Sequence, residues 1–320
     1  MATVKRSVRW SEAAPTLVAL TVVSAAASTV HPGLTAGAAA PEPADSEVAF
    51  RVADPEIVES SGLAWADVDG RRWIVTVNDS GDTGRVFTLD PESGETVGVT
   101  TFEPDPSDVE ALAPAGDGHV WVADIGDNAR MRRSLVLTRV PVGPGDRVAG
   151  EEGEEGEVER REVRYPDRRR DAEALLAHPG TGELFVVSKG LLGGQVWQVP
   201  DAGSGARGSG RVDPLRQVGL APALVTDGAF LPSGDHVLLR GYTHGFVLTY
   251  PEWEVVDTFE LPPQPQGEGL TVLPEGEVLI STEGSNRDVL RVALPEVVRH
   301  ERDPVRAWWQ GVWSRWVARL

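Results

Sequence analysis

The sequence predicts an all-β fold: a five-bladed β-propeller of four-stranded antiparallel blades, closed by an N-terminal strand and followed by a short C-terminal helix. Three observations predict it. A short pattern of oxygen-bearing, small and apolar residues recurs five times, and recurrence at a fixed theme marks a repeat architecture. Each recurrence is followed by β-prone runs separated by Gly- or Pro-containing turns. The last unit lacks a fourth strand, while a spare strand of the right length precedes the first. The composition agrees, with 35 Gly, 24 Pro and 6% aromatic residues in a chain that is 41% hydrophobic.

The first forty residues carry Lys5, Arg6 and Arg9, an apolar run from Leu17 to Val30, and Ala38-Ala39-Ala40 before a Pro-rich stretch. That order is the order of a secretory signal peptide, expected to be cleaved near Ala40. An uncleaved signal anchor is the alternative, and either one puts the body, residues 41–295, outside the cytoplasm. The chain has no cysteine, so it has no disulfide framework, thiolate metal site or Cys nucleophile.

The blade openings are Ser61-Gly62-Leu63-Ala64, Glu110-Ala111-Leu112-Ala113, Glu173-Ala174-Leu175-Leu176, Asp227-Gly228-Ala229-Phe230 and Glu268-Gly269-Leu270-Thr271. Second strands are expected at 73–77, 120–123, 184–187, 237–239 and 278–281, and third strands at 85–89, 135–140, 195–199, 246–250 and 289–294. More polar fourth strands follow at 95–102, 157–165, 214–220 and 254–261, and the spare strand at 47–52 is expected to complete the fifth blade. Closure in this way leaves the ring without a free edge. The acidic run 151–159 and the Gly/Ser-rich run 202–210 fall between third and fourth strands and are expected to be solvated loops on one face. The tail, residues 296–320, places Trp309, Trp313, Trp316 and Leu320 at helical spacing among Arg306, Arg315 and Arg319. It reads as an amphipathic helix that either docks on the propeller flank or contacts a membrane surface.

In an antiparallel blade, the start of strand one and the end of strand two share a face. An inner ring of Ser61, Glu110, Glu173, Asp227 and Glu268 is therefore expected beside an outer ring drawn from the loops after strand two. Carboxylates converging on one axis raise one another's pKa unless a cation sits among them. Ca2+, which accepts six to eight oxygen ligands in irregular geometry, fits such a ring, whereas zinc would want His or Cys. The alternative is that these side chains form turns and cap backbone N–H groups. The loops also bring Asn78, Asp79, Ser80 and Asp82; Asp124, Asp127 and Asn128; Lys189; Arg240, Tyr242 and His244; and Glu283. Asp79 and Asp124 are candidates to activate water. Asn78, Asp82, Asp127, Asn128, Lys189, Arg240, Tyr242, His244 and Glu283 are candidates to hold a substrate, with Lys189 and Arg240 flanking the mouth to engage an anionic group. The formal charge of -19 argues against nucleic acid as a partner and for cations and cationic ligands; the partner expected at the site itself is a small anionic molecule or an extracellular ligand. No Gly-x-Ser-x-Gly elbow or His-Glu-x-x-His is present.

The blade-start pattern, Ser-x-Leu, Glu-x-Leu, Glu-x-x-Leu, a hydroxyl or acidic residue, then Glu-Gly, resembles that of the five-bladed calcium-activated nucleotidases, or apyrases. That resemblance implies a Ca2+ on the axis held by Ser61, Glu110, Glu173, Asp227 and Glu268. Asp227 departs from the hydroxyl expected in the fourth blade, although Thr226 stands beside it. The Ser-Gly-Leu-Ala and Gly-Glu-Gly-Leu phrases are similar to bacterial secreted phytase-like and esterase-like propellers. The resemblance covers roughly residues 47 to 294. Two functions follow from it: a calcium-dependent hydrolase of phosphate esters or anhydrides, or a non-catalytic extracellular binding module whose calcium rigidifies the ring.

Overall fold

In the computed structural model the described residues are 44–79, 81–150, 158–201 and 212–294. The predicted leader, the tail helix, Ser80 and most of the two long insertions lie outside them.

The strands form five separate sheets, one per blade. Ser60–Val68 (β2), Arg71–Asn78 (β3), Arg85–Leu89 (β4) and Thr96–Thr101 (β5) build the first blade. Val109–Pro114 (β6), His119–Asp124 (β7), Leu135–Pro141 (β8) and Glu159–Arg164 (β10) build the second. Ala172–Ala177 (β11), Leu184–Ser188 (β12), Gly194–Gln198 (β13) and Arg216–Ala221 (β15) build the third. Val225–Phe230 (β16), His236–Gly241 (β17), His244–Thr249 (β18) and Val255–Glu260 (β19) build the fourth. The fifth contains Gly267–Val272 (β20), Val278–Thr282 (β21) and Asp288–Val292 (β22), and takes Ser46–Arg51 (β1) as its outer strand. Ser46 opposes Val292 and Arg51 opposes Asp288, with an Arg51–Asp288 ion pair at the end of the ladder. The chain thus closes the ring as expected.

Alternating apolar residues on both faces of each blade fill the gaps between neighbours, because a blade has no core of its own. Five buried clusters result, one at each blade junction. Trp121, Ile125 and Leu137 meet Leu175, Val186 and Trp197 between blades two and three. Phe50, Phe87 and Ile74 meet Leu279 and Val289 where the last blade joins the first.

Two blades have five strands rather than the four expected. Arg147–Val148 (β9) runs parallel to β5 of the preceding blade, and Asp213–Pro214 (β14) runs parallel to β10 in the same manner. Both short strands come from the long connections between third and fourth strands of blades two and three. Only a connection of that length reaches the neighbour's outer edge, where it pairs backbone groups otherwise left open.

Each blade's first hairpin carries a β-bulge at the same place, near the start of the inner strand. The register shifts between Ser60 and Gly62, Val109 and Ala111, Ala172 and Ala174, Val225 and Asp227, and Gly267 and Leu270. A bulge places an unpaired extra residue in one strand and re-aims its side chain. The extra residues are Ser61, Glu110, Glu173, Thr226 and, in the wider fifth irregularity, Glu268 with Gly269. This repeated bulge builds the axial ring.

Candidate metal centre

Four of the five predicted ring residues, Ser61, Glu110, Glu173 and Glu268, occupy the bulges, and all four are buried. The fifth does not. Thr226 holds the fourth bulge, and its Oγ1 donates to the Gly267 carbonyl at 3.0 Å, as Ser61 Oγ donates to the Glu110 carbonyl at 3.2 Å. Both hydroxyls therefore tie one bulge to the next. Asp227, one residue on, is 0% exposed and faces the blade junction, where Oδ1 accepts from Gly228 N at 2.8 Å and Oδ2 from Leu270 N at 2.6 Å. Its oxygens are held by backbone amides, and Thr226 rather than Asp227 occupies the fourth bulge.

Carboxylates of the first three blades gather in two overlapping groups. Asp79, Asp108 and Glu110 can each bring one oxygen within 4.8 Å of the others, and so can Glu110, Asp171 and Glu173. Glu110 belongs to both groups. Ser61 Oγ lies 3.5 Å from its Oε2, and among the described residues no Lys or Arg pairs with it. Burial first, then the charges of Glu173, Asp79, Asp108 and Asp171, push its carboxyl far above the usual range. Glu173 is also raised by burial, but Lys189 opposes this, with its Nζ 2.9 Å from Glu173 Oε1 and 3.1 Å from the Tyr242 hydroxyl. Burial and the neighbouring Asp79 push Asp108 up to about 6. Burial, then Glu268 and Asp79, push Glu283 up to about 7. Glu268 is raised by burial against the pull of Lys189 and Arg240.

The loop residues divide by register. Asn78, Asp124, Ser188, Gly241 and Thr282 pair with the residue just before each bulge. Side chains at this position tie down the strand lead-in. Asn78 Oδ1 accepts from Val58 N and Glu59 N at 3.0 and 3.2 Å, and Asp124 Oδ1 accepts from Asp108 N at 2.9 Å. Asp124 also holds the Arg132 guanidinium at 2.6 Å, so the carboxylate read as a water activator is ion-paired. Asp82 pairs with Arg85 at 2.9 Å and receives the Asn78 amide. Asp127 caps its own loop by accepting from Met131 N and Arg132 N. One residue further on, Asp79, Lys189, Tyr242 and Glu283 turn toward the ring. His244 rests on Phe246 beside Thr243, and Asn128 is exposed at its loop tip.

Arg240 departs most from expectation. It is 0% exposed, one residue inside the strand, and donates to the Gly269 and Ser281 carbonyls at 3.0 and 3.1 Å and to Gln264 Oε1 at 3.0 Å. It ties blade four to blade five and presents nothing at the mouth. Asp108 and Asp171, two residues before ring positions, join the candidate ligands. Their signal in the sequence is the acidic residue two positions before the ring in three blades, Glu59, Asp108 and Asp171.

The donor set suits a hard divalent cation: all oxygen, rich in carboxylate, without Cys or His. The packing suits it too. An added Cβ at Gly126 would collide with the Asp108 carboxylate and sit 2.5 Å from Glu110 Oε1, so only glycine lets the loop backbone pass this closely. Gly126→Ala is expected to displace both carboxylates and weaken divalent-cation affinity by about tenfold or more, the scale of losses when groups supporting a metal site are disturbed. Calorimetric titration with calcium measures it. A cavity of about 610 Å3 lies at the other end of the axis, lined by Leu63, Leu112, Leu175, Leu270, Trp65 and Phe230. It holds no comparable carboxylate group and is separate from the ring.

No family model matches the sequence, and no curated protein matches it. Among solved structures, the chain is similar to a gluconolactonase from Xanthomonas campestris at 15% identity, over 81% of this chain and 89% of that one, with a TM-score of 0.44. It is similar also to a putative oxidoreductase described as a glucose dehydrogenase from Thermus thermophilus, at 17% identity over 78% of this chain and 100% of that one, with a TM-score of 0.43.

Proposed function

We propose that this propeller is an exported calcium-dependent hydrolase acting on phosphate esters or anhydrides. The observation that carries the reading is Glu110: a buried carboxylate common to two groups of three acids, with no cationic side chain of its own among the described residues. A buried charge left unpaired is costly, and a bound cation removes the cost. Glu110, Asp171 and Glu173, all buried, would hold the ion, with Asp79 and Asp108 on its more open side. Calcium suits this set because it accepts many carboxylate oxygens in irregular geometry.

When bound, such an ion supplies the positive charge that polarises a phosphoryl oxygen. The remaining work falls to side chains. Asp79 and Asp108, half-buried at the ring's edge, are placed to accept a proton from an attacking water at a carboxylate oxygen. Lys189, oriented by Glu173 and by the Tyr242 hydroxyl, is placed to bind an anionic group beside the ring. Export rests on the order of charge and apolar residues in the first forty positions.

The test is hydrolysis of phosphate monoesters, diesters and anhydrides by the purified protein in calcium and in chelator. Calcium-dependent turnover is expected, with Glu110→Gln reducing it by about 100-fold or more. A protein that binds calcium yet turns over no such substrate is a binding module instead.

A further inference from the structure

The four most exposed large apolar side chains among the described residues are Leu192, Leu191, Met131 and Leu220, at 102%, 81%, 72% and 66% exposure. All four lie on blades two and three, at or next to loops of the face that carries the ring. They are interleaved with arginines. Arg130, Arg168 and Arg169 line one groove together with Leu192 and Leu220, and Arg133 joins Arg168 and Arg169 in the adjoining one.

These arginines differ from many of the others among the described residues. Arg51, Arg71, Arg72, Arg85, Arg161 and Arg291 are each paired with a carboxylate. The side chains of Arg130, Arg133, Arg168 and Arg169 have no hydrogen bond or ion pair among the described residues, and all four are exposed. The nearby acids are engaged elsewhere. Asp127 accepts from loop amides, Asp167 holds Arg170 at 2.6 Å, and Asp171 Oδ1 accepts from Asp127 N at 2.9 Å. In a protein with 49 acidic and 30 basic residues, unpaired arginines around protruding apolar tips form a cationic, apolar island.

We propose that this island docks the protein on an anionic phospholipid surface. Arginine attracts the headgroup phosphates, and leucine and methionine tips enter the interface beneath them, so the two kinds of side chain act on one ligand. A soluble phosphate would engage the arginines and leave the leucines in water. A second copy of this acidic chain would satisfy the charge, and that occupant is tested directly. The groove borders the ring, since Asp171 and Lys189 also line it, but none of the docking side chains is among those assigned to the ion or the substrate.

The test is co-flotation of the full chain with vesicles of phosphatidylcholine plus phosphatidylglycerol, and with phosphatidylcholine alone. Binding is expected only with the anionic lipid and is expected to weaken as salt rises. The triple variant Arg130→Glu, Arg168→Glu, Arg169→Glu and the double variant Leu191→Ser, Leu192→Ser should each weaken it by about tenfold or more. Melting temperatures should stay at the wild-type value, since these side chains are exposed. Equal binding by wild type and both variants would assign attachment to another segment and overturn the proposal. Binding lost only in the arginine variant, or dimerisation in light scattering that the arginine variant abolishes, would overturn it as well.

Discussion

Arg240→Met is expected to destabilise the protein by about 3–5 kcal/mol, the usual cost of removing one partner from a buried charged network. The guanidinium is fully buried, and burial lowers its pKa only to about 10, so it is charged at neutral pH. Methionine matches the stem and removes every donor. The carbonyls of Gly269 and Ser281 then lose their partner, and Asp227 and Glu268 lose a neighbouring positive charge. Arg240→Lys should recover little, because one ammonium cannot cover the spread of acceptors that the planar fork reaches. Denaturant unfolding of the three proteins measures this. A loss below about 1 kcal/mol would mean that the blade junction relaxes or takes in water.

The second large effect concerns pH. Without divalent cations the melting temperature is expected to fall as pH rises from about 4 to beyond 7. The sign follows from proton binding. Asp108 moves from an ordinary 3.8 to about 6, Glu283 from 4.5 to about 7, and Glu110 lies higher still, in each case with burial as the leading cause. Through that window the folded form keeps protons that the unfolded chain has released, so stability declines with pH. Calcium should replace those protons. It is expected to flatten the profile and to release protons on binding, measurable as acidification in weak buffer. Self-repulsion of a chain of charge -19 acts in the same direction, and Glu110→Gln separates the two effects. That variant should show a shallower decline in chelator and a reduced calcium response. Identical profiles for wild type and variant would remove Glu110 from the site.

Glu110 could be picked out from its place at the start of a repeat, and Asp108 and Asp171 as acids two positions before a ring residue, but that these three and Glu173 come together was decided by the packing of the blades. Five blades, their strand order and the closing strand at 47–52 were legible because they depend on local signals. Strand alternation, turn residues and a recurring tetrapeptide act over a few neighbouring positions. The ring residues Ser61, Glu110, Glu173 and Glu268 were legible for the same reason, since each opens a repeat.

Only the tertiary structure decided what depended on register. A one-residue shift sends a side chain to the other face of its strand, and no local pattern records where a bulge falls. So Thr226 rather than Asp227 stands in the ring, and Arg240, still inside its paired strand, lies in a blade junction while Lys189, two register positions later and past the end of β12, lies beside Glu173. The added strands β9 and β14 depend on which neighbour a long connection meets. The arginine island depends on two distant loops, 130–133 and 168–170, converging beside Leu191 and Leu192. Sequence determines what each blade contains; the packing of blade against blade determines which side chains meet, because those contacts join residues far apart in the chain.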